Sequence, residues 1–486
     1  MHAFRRAFSI YFCYQIYIIM EKHILSKSTY IKGEQCLKQL YLHKKRAFLR
    51  DRMPAERLAI FRRGTHVGIY AQELFPGGID AGPKHPSQYK KAVEKTALLI
   101  QEGRQIIYEA GFQAHKTLIL LDILVKNGEA WDAYEVKSSK KLSETYYKDA
   151  ALQYYILKEA GLKINSFSLI HINDQYIRED NIDINKLFVI TNVSEEVEKR
   201  YNEVEKKIDS ELKILEATHS PKIAIGLHCF KPYTCDFIGH CWKGIEKPSI
   251  FDIPAFSLET QFDYYKQQSS LNELLEDSSL STAQRNQIEV QLSGKERINL
   301  STESKAILKN IIANPKNYIY LKIISFTPAL PLYPNTKAYQ SLRFALSWLP
   351  LGEPKEKTEL YFSSATNNPD LKIEQMLVTL LKDKKAIVYS ANQPITNSID
   401  MQQTLKDSSY YHPLMKDYSN KSLSKALGIK PPWKGIESDI VAAQYYDEIV
   451  REHKDSKSKK EAIESYLSRE LSLLSLYINK LTSTLE

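Results

Sequence analysis

A single acidic residue inside an otherwise apolar strand constrains this chain more than any other feature. Two runs rich in β-forming residues, 118–125 and 131–137, flank the dipeptide Asn127-Gly128, which is the strongest short signal for a β-hairpin. Asp122 interrupts the first run, and burying a carboxylate there is costly unless it is paired or binds a metal ion. The pattern therefore predicts a hairpin built around a polar site.

The second strand of this hairpin supplies two further candidates for that site. Glu135 and Lys137 are two residues apart, so their side chains point to the same face, and Asp122 can lie beside it. Two carboxylates and an ammonium suit phosphodiester hydrolysis, since oxygen ligands hold Mg²⁺ or Mn²⁺ and a lysine can orient or deprotonate water and neutralise phosphate charge. The alternative is an exposed cross-strand Glu–Lys pair, worth only about 0.2–1 kcal/mol.

The segments around the hairpin predict its structural context. We expect a helix from about Gln88 to Ala110, a second from about Glu144 to Ala160, and a strand at 166–173. Helix, hairpin, helix and strand is the element order of the restriction-endonuclease-like core. Within it, Asp122 followed by Glu135-Val136-Lys137 resembles the PD-(D/E)XK motif of RecB-type nucleases, which implies a metal-dependent nuclease acting on DNA.

The same resemblance assigns roles to residues outside the hairpin. Gln153-Tyr154-Tyr155 is similar to the Gln/Tyr motif of RecB-type enzymes, which implies that Gln153 fixes the catalytic lysine and the substrate phosphate and that Tyr154 contacts nucleic acid. RecB-type enzymes also use a helical histidine as a metal ligand, and His66 is the candidate here. Glu109, just before the first strand, is a further candidate ligand, and for both residues a solvent-exposed helix position is the alternative.

Four of the five cysteines indicate a second site. Three are spaced Cys-x5-Cys-x5-Cys in a loop that contains Pro232 and Gly239, and one lies far upstream; they are Cys229, Cys235, Cys241 and Cys36. This distribution resembles the iron–sulfur staple of AddB-type and CRISPR-adaptation nucleases, and implies a structural [4Fe–4S] cluster. Zn²⁺ held by the same thiolates, or with His228 or His240, is the alternative, and unliganded thiols are another.

A basic segment follows the first of these cysteines. The chain has 67 Lys and Arg against 58 Asp and Glu, a formal charge of +9, and nine of the cations lie between residues 38 and 63. We expect this segment to contact DNA phosphates, although a solvated helix face produces the same pattern. The candidate contacts are Lys38, Lys44, Lys45 and Arg46.

The C-terminal half resembles a different nuclease fold. Strands are predicted at 318–326, 341–349, 359–364 and 386–389, with helices at about 373–382 and from residue 436 onward. With motifs such as Leu25-Ser-Lys-Ser28, this order resembles a bacterial family that joins a RecB-like nuclease to a DnaQ-like exonuclease domain of RNase H fold. That family's Asp-x-Glu metal pair is replaced here by Lys322-Ile323-Ile324. The resemblance implies a domain that has kept its fold and lost its chemistry.

Together these predictions indicate a protein of mixed α/β class. It would contain a restriction-endonuclease-like core with helical flanks and an RNase H-like domain. The alternative function is a non-catalytic nucleic-acid-binding or scaffold protein derived from a nuclease. No segment is apolar over the ~20 residues that a membrane span needs, and we expect a cytoplasmic protein without a membrane partner. The predicted segments are an extension at 1–19 before a start at Met20, the nuclease domain 20–247, a helical connector 248–315, the degenerate domain 316–455 and a C-terminal helix 456–486.

Overall fold

A computed structural model describes residues 22–363, 367–390, 394–429, 435–452 and 456–485. The chain forms two compact units, one of Met1–Lys243 with Ala329–Tyr339 and one of Gly244–Pro328 with Gln340–Glu486. The predicted extension at 1–19, the start at Met20 and Cys13 lie outside the described residues. No described helix combines the length and the apolar character that crossing a membrane requires.

The first unit is built on a seven-stranded sheet. Its strands are β1 (Leu25–Ser26), β2 (Ile79–Asp80), β3 (Ile106–Ala114), β4 (Thr117–Asn127), β5 (Ala130–Lys137), β6 (Ile164–Ile172) and β7 (Phe188–Asn192). Its helices are α1 (Lys27–Gln35), α2 (Leu37–Lys45), α3 (Ala55–Gln72), α4 (Tyr89–Gln101), α5 (Glu144–Glu159), α6 (Ile184–Leu187), α7 (Ser194–Lys199), α8 (Tyr201–Glu216) and α9 (Ile238–Cys241).

The sheet is mixed and centres on the predicted hairpin. Its order is β2-β3-β4-β5-β6-β7, with β1 parallel to the start of β4. Strands β3, β4 and β5 are antiparallel neighbours, and β6 is parallel to β5. Asn127 pairs with Ala130, and Gly128 between them has a φ of 56°, which glycine adopts at little cost in tight hairpin turns. The hairpin prediction is confirmed.

The segment before the hairpin differs from the prediction. The helix expected from Gln88 to Ala110 ends at Gln101, and Gly103 with a φ of 74° follows it. The rest of the segment forms β3, whose residues pair with β4 along most of its length. A short apolar run does not distinguish a helix from a buried strand by periodicity, so the partner strand decided the outcome. Helix α5 and strand β6 lie within two residues of their predicted ends.

Helices cover both faces of this sheet. Helix α5 packs on one face, where Leu152 and Ile156 join Ala133 and Phe167 in a buried cluster. Helix α3 covers the other face through residues such as Val67, which lies in the cluster of Ile123 and Ile170. Alternate residues of β5 therefore enter two different cores. Glu135 and Lys137 have the parity of Ala133, which places them on the α5 face.

The second unit has a five-stranded sheet of order β10-β9-β8-β11-β12. Its strands are β8 (Tyr318–Phe326), β9 (Leu342–Pro350), β10 (Glu359–Phe362), β11 (Lys385–Val388) and β12 (Ser398–Asp400). Its helices are α10 (Leu258–Gln267), α11 (Leu271–Leu275), α12 (Thr282–Ser293), α13 (Thr302–Ala313), α14 (Pro369–Leu380), α15 (Met401–Asp407), α16 (Asn420–Ala426), α17 (Asp439–Glu452) and α18 (Ser456–Thr482). Two mixed sheets with packed helices confirm the mixed α/β class.

The division of the chain differs from the predicted segments in three places. The expected connector at 248–315 and the expected separate helix at 456–486 both belong to the second unit. Leu308 of α13 and Leu474 of α18 pack in one core with Tyr318 and Ile387 of the sheet. Residues 329–339, between β8 and β9 in sequence, belong to the first unit, where Leu330 packs in a buried cluster.

Candidate active site

Three acidic residues lie side by side across the central strands of the first unit. Asp122 and Glu135 adjoin Ile123 and Tyr134, the end pair of the β4–β5 ladder, and Glu109 lies between two residues of β3 that pair with β4. The pairs that flank them fix this register: Ile123 with Tyr134, Tyr108 with Ile123, and Ala110 with Leu121. Directly opposite residues of antiparallel strands share a face, so the sheet itself brings these carboxyl groups together.

Two lysines and a fourth acid complete the cluster. Glu135 Oε1 accepts hydrogen bonds from Lys137 Nζ at 2.7 Å and from Lys27 Nζ at 2.7 Å. Asp149, on α5, accepts a hydrogen bond from Lys137 through Oδ2, and the same oxygen lies 3.9 Å from Lys27 Nζ. Asp122 Oδ2 accepts a hydrogen bond of 2.6 Å from the Val136 amide. The structure thus brings Asp122, Glu135 and Lys137 into one site.

Several buried polar atoms in this cluster lack a hydrogen-bond partner within the described part of the chain. They include Glu135 Oε2 and Asp149 Oδ1, the second oxygens of the two carboxylates that hold the lysines. Glu135 is 2% exposed, so bulk water does not reach this oxygen to replace the missing hydrogen-bond partner. A buried carboxylate oxygen without a partner carries a desolvation penalty of about 1–3 kcal/mol or more. Such an atom is available to a further cation.

The electrostatic environment shifts the pKa values of the three acids in different directions. Burial raises the pKa of Asp122 well above its usual range, the negative charge of Glu135 adds to this, and Lys27 opposes it. Burial likewise raises the pKa of Glu109 to about 6 against the opposing charge of Lys27. Burial would raise the pKa of Glu135 too, but Lys137 and Lys27 outweigh it and lower that pKa. Glu135 is therefore the stabilised carboxylate of the three.

The cluster carries more negative than positive groups. Four carboxyl groups, those of Glu109, Asp122, Glu135 and Asp149, face two ammonium groups, which leaves a formal charge of −2 when all are ionised. In the described chain, no three His, Cys, Asp or Glu side chains are arranged to hold a metal ion. The donor chemistry nevertheless fits Mg²⁺ or Mn²⁺, since the acids are hard oxygen ligands and one Glu135 oxygen is open.

Sequence reasoning missed two members of this cluster, Lys27 and Asp149. Lys27 lies in the motif Leu25–Ser28 but is 108 residues from Glu135, so nothing local indicated the contact. Asp149 precedes an apolar helical run and stands four residues before Gln153, on the same helical face. That spacing was the one available signal for Asp149.

Two residues of the expected Gln/Tyr motif are placed differently from the prediction. Gln153 is fully buried, and neither its amide nitrogen nor its oxygen has a hydrogen-bond partner among the described residues. Asp149, one helical turn earlier, contacts Lys137 instead. Tyr154 is 9% exposed, packs edge-on against Phe167 and donates its hydroxyl to Glu198. Both the ring and the hydroxyl of Tyr154 are therefore engaged in contacts within the first unit.

The two additional ligand candidates have different outcomes. Glu109 lies half-buried on a strand next to Asp122, and not at the end of a solvated helix. It has a φ of 51°, an unfavourable value for a residue with a side chain, which is typical of strain at functional positions. His66 is half-buried on α3. Within the described residues, no hydrogen bond or ion pair joins His66 to Glu109, Asp122 or Glu135.

The four predicted cysteines line one cavity. Cys36 lies between α1 and α2, and the other three come from the loop that ends in α9; the cavity wall includes Cys36, Cys229, Cys235 and Cys241. All four thiols are free. Burial raises the pKa of Cys235 to about 12, and the neighbouring cysteines contribute. Four thiols around one cavity are the ligand type of an iron–sulfur or zinc site, but no three of them are arranged to hold a metal ion in the described structure.

Polar contacts attach the cysteine loop to the first helices. Asp236, 7% exposed, accepts hydrogen bonds from Lys32 Nζ at 2.6 Å and Arg57 at 2.7 Å. Gln35 donates its side-chain amide to the carbonyls of His228 and Tyr233, both at 2.6 Å. Helix α1 connects the two candidate sites. Its first residue is Lys27, and Cys36 directly follows its last residue.

The basic segment has one exposed part. Lys44, Lys45 and Arg46 are exposed, and Phe48, in the short helical turn that follows, is 78% exposed. Lys38 instead lines the cysteine cavity, where its charge lowers the pKa of Cys241 against the larger effect of burial. Three of the four predicted contacts are thus exposed, as are Arg50 and Arg52, and an exposed aromatic ring lies among them.

The second unit contains a different polar cluster at the expected position of the lost acids. Lys322 Nζ lies 2.8 Å and 2.9 Å from the two carboxylate oxygens of Asp439, on α17. Tyr466 donates its hydroxyl to Asp439 at 2.7 Å. Glu470 accepts hydrogen bonds from Asn420 and Arg469. In this cluster both oxygens of Asp439 and both oxygens of Glu470 have partners.

Comparisons with known proteins add no family assignment. No protein-family model matches the chain, and no curated protein matches it. Functional inference therefore depends on the geometry of the two sites.

Proposed function

We propose that the first unit is a metal-dependent nuclease that hydrolyses DNA phosphodiester bonds. The observation that carries this proposal is the row of Glu109, Asp122 and Glu135, which leaves excess negative charge and an open Glu135 oxygen beside Lys137. Burying such a charge excess is unfavourable without a cation. The element order around it, helix, three antiparallel strands, helix and strand, supports the restriction-endonuclease-like expectation.

Each residue of the cluster has a defined task in this proposal. A bound Mg²⁺ or Mn²⁺ ion would neutralise phosphate charge and acidify water. Asp122 and Glu135 are the ligands for that ion, with Glu109 as a third. Lys137, held by Glu135 and Asp149, donates hydrogen bonds to the scissile phosphate as negative charge develops on it. Hydrolysis forms a bond from water oxygen to phosphorus and breaks one phosphorus–oxygen ester bond.

The cysteine site has a structural task in the same unit. We propose that it binds a [4Fe–4S] cluster, with Zn²⁺ as the alternative, and joins the start of the unit to its last loop. Metal binding to such a site contributes directly to folding free energy. Elemental analysis of anaerobically purified protein distinguishes the two: iron with acid-labile sulfide supports the cluster, and stoichiometric zinc without iron rejects it.

The exposed basic segment supports DNA as the substrate. Lys44, Lys45 and Arg46 offer charge to phosphates, and Phe48 offers a ring face on which an unpaired base stacks. A cationic surface with an exposed aromatic side chain is typical of proteins that bind single strands. We therefore propose single-stranded DNA or DNA ends as the preferred substrate.

A cleavage assay tests the proposed function. End-labelled single- and double-stranded DNA, with RNA in parallel, is incubated with Mn²⁺ and the wild-type chain, Glu135→Gln or Lys137→Ala. We expect Mn²⁺-dependent cleavage by the wild type and a loss of about 10³-fold in each variant, because each removes a group that acts on the phosphate or its cation. Product lengths give the mode and the polarity of cleavage.

Lys148→Ala is the matched control, since Lys148 neighbours Asp149 but pairs with Glu34 at 2.8 Å. It should cleave like the wild type. Equal cleavage by Lys137→Ala and the wild type would remove the proposed site. Absence of cleavage by the wild type, together with retained DNA binding in a gel-shift assay, would favour the non-catalytic nucleic-acid-binding alternative.

A further inference from the structure

Lys27 is a second cation in the candidate active site. It is the first residue of α1 and directly follows β1, in which Ser26 pairs with Leu118 of β4. The Ser26 amide also donates a hydrogen bond of 2.7 Å to Thr29 Oγ1 at the helix start. The backbone of Lys27 is therefore anchored to the strand that carries Asp122.

The two lysines of the site are not equivalent. Both donate to Glu135 Oε1 at 2.7 Å, but only Lys137 also donates to Asp149, whereas Lys27 Nζ remains 3.9 Å from the same Asp149 oxygen. The side chain of Lys27 is 30% exposed and that of Lys137 is 13% exposed. Lys137 is thus held between β5 and α5, and Lys27 has fewer direct contacts and more access to solvent.

The charge of Lys27 also reaches acids for which Lys137 is not a main influence. It opposes the effect of burial on the pKa of Asp122 and on that of Glu109. Lys27 therefore stands on the side of the three-acid row where a divalent cation would bind. Two positive groups that need the same carboxylates compete for them.

We propose that Lys27 substitutes for the divalent cation in the metal-free site and, when that cation binds, turns its ammonium to an oxygen of the substrate phosphate. This inference rests on the proposed nuclease function and adds a catalytic residue to it. An ammonium on a four-carbon stem is suited to this exchange, since it is a compact charge with rotatable donors. The exposed 30% of the side chain gives it a path toward a phosphate.

Competition has a consequence that is measurable without DNA. If Lys27 and the cation exclude each other, removing the lysine charge tightens cation binding, and the coupling is reciprocal. Removing it also removes a phosphate contact, so the same variant cleaves more slowly. A lysine that only stabilises the fold would not produce tighter cation binding together with slower cleavage.

The experiment measures Mn²⁺ binding to the DNA-free full chain from the loss of the electron paramagnetic resonance signal of free Mn²⁺. We expect Lys27→Met to bind Mn²⁺ about tenfold more tightly than the wild type, within the usual range for coupled ligands. Its cleavage rate at saturating Mn²⁺ should fall by about 100-fold, the effect of one phosphate-stabilising donor. Lys27→Arg, which keeps the charge, should bind Mn²⁺ like the wild type. The control Lys148→Ala should match the wild type both in Mn²⁺ binding and in cleavage.

The outcomes separate this inference from the function on which it rests. If the wild type neither binds Mn²⁺ nor cleaves DNA, the proposed function fails and this inference fails with it. If the wild type does both, and Lys27→Met binds Mn²⁺ no more tightly, the role of Lys27 is wrong and the nuclease proposal stands. Lys27→Gln provides a second neutral variant if Lys27→Met does not fold, as judged by circular dichroism.

Discussion

The two units place lysine beside carboxylates in opposite ways. In the first unit, Lys27 and Lys137 both use one oxygen of Glu135, and the second oxygen has no partner among the described residues. In the second unit, Lys322 contacts both oxygens of Asp439, and Glu470 is also paired through both oxygens. The cluster of the first unit therefore contains carboxylate oxygens without a partner among the described residues, whereas both oxygens of Asp439 and of Glu470 in the second unit are paired.

This difference explains why only the first unit is a candidate for metal chemistry. In the first unit the acids outnumber the lysines and Glu135 keeps one oxygen for a divalent cation, whereas Lys322 already occupies both oxygens of Asp439. The isoleucines that follow Lys322 cannot ligate a cation, and Ile324 is fully buried. We therefore interpret the cluster of the second unit as a structural ion pair.

The largest expected effect tests the comparison directly by removing one lysine from each cluster. Lys322→Met should lower the free energy of unfolding by about 3 kcal/mol, because the largely buried Asp439 loses its cation. Millimolar MnCl₂ should not restore the melting temperature of this variant but should raise that of Lys27→Met, measured by differential scanning calorimetry. Rescue of Lys322→Met by Mn²⁺ would show that the second unit retains a usable metal site.

A smaller effect tests whether an orphan carboxyl group alone marks a cation site. Glu211 on α8 is fully buried, neither of its oxygens has a partner among the described residues, and burial raises its pKa to about 9 against the charge of Lys207, with Glu34 contributing. Because the folded pKa lies above the unfolded one, this group's contribution to stability is complete below about pH 4.5 and is lost as the pH rises through 9.

Glu211→Gln removes that titration. We expect the two proteins to differ little in stability at pH 5 and the variant to become progressively more stable than the wild type as the pH rises toward 9, measured by urea unfolding. The titratable groups that face this position, those of Lys207, Glu34 and Tyr30, are unchanged in the variant. Parallel pH profiles for the two proteins would contradict the assignment. Mn²⁺ should stabilise neither protein through Glu211, because the neighbouring acid Glu34 is already paired with Lys148 and Lys207.

The smallest effect concerns the exposed surface of the first unit. Phe48→Ala should weaken binding of single-stranded DNA by about 1–3 kcal/mol through lost stacking. Replacing Lys44, Lys45 and Arg46 together by alanine should reduce the slope of log affinity against log salt by about 2. Leu371→Ala, a 65% exposed apolar residue of the second unit, is the control. Equal losses from Leu371→Ala and Phe48→Ala in fluorescence anisotropy would show that the surface is not specific.

Local pattern accounts for much of the fold. Strand β8 occupies 318–326 as predicted, because alternating β-branched and aromatic residues are strong strand signals. The same reasoning predicted the end of a helix where β3 forms, because the periodicity of a short apolar run does not distinguish a helix from a strand. Glu109 was predicted as a metal ligand with a solvated helix end as the alternative, and the structure places it on β3, whose neighbouring residues Tyr108 and Ala110 pair with β4.

The sequence by itself determined the hairpin and the facing pair Asp122 and Glu135, because turn chemistry and strand periodicity act over a few residues; the grouping of Cys36 with the three later cysteines came from the family resemblance. Only the tertiary structure decided that Lys27 donates to the Glu135 carboxylate of that hairpin and that Asp149 accepts from its Lys137. These contacts join segments up to 108 residues apart, and which distant side chain pairs with a buried carboxylate depends on how the sheet and its helices pack.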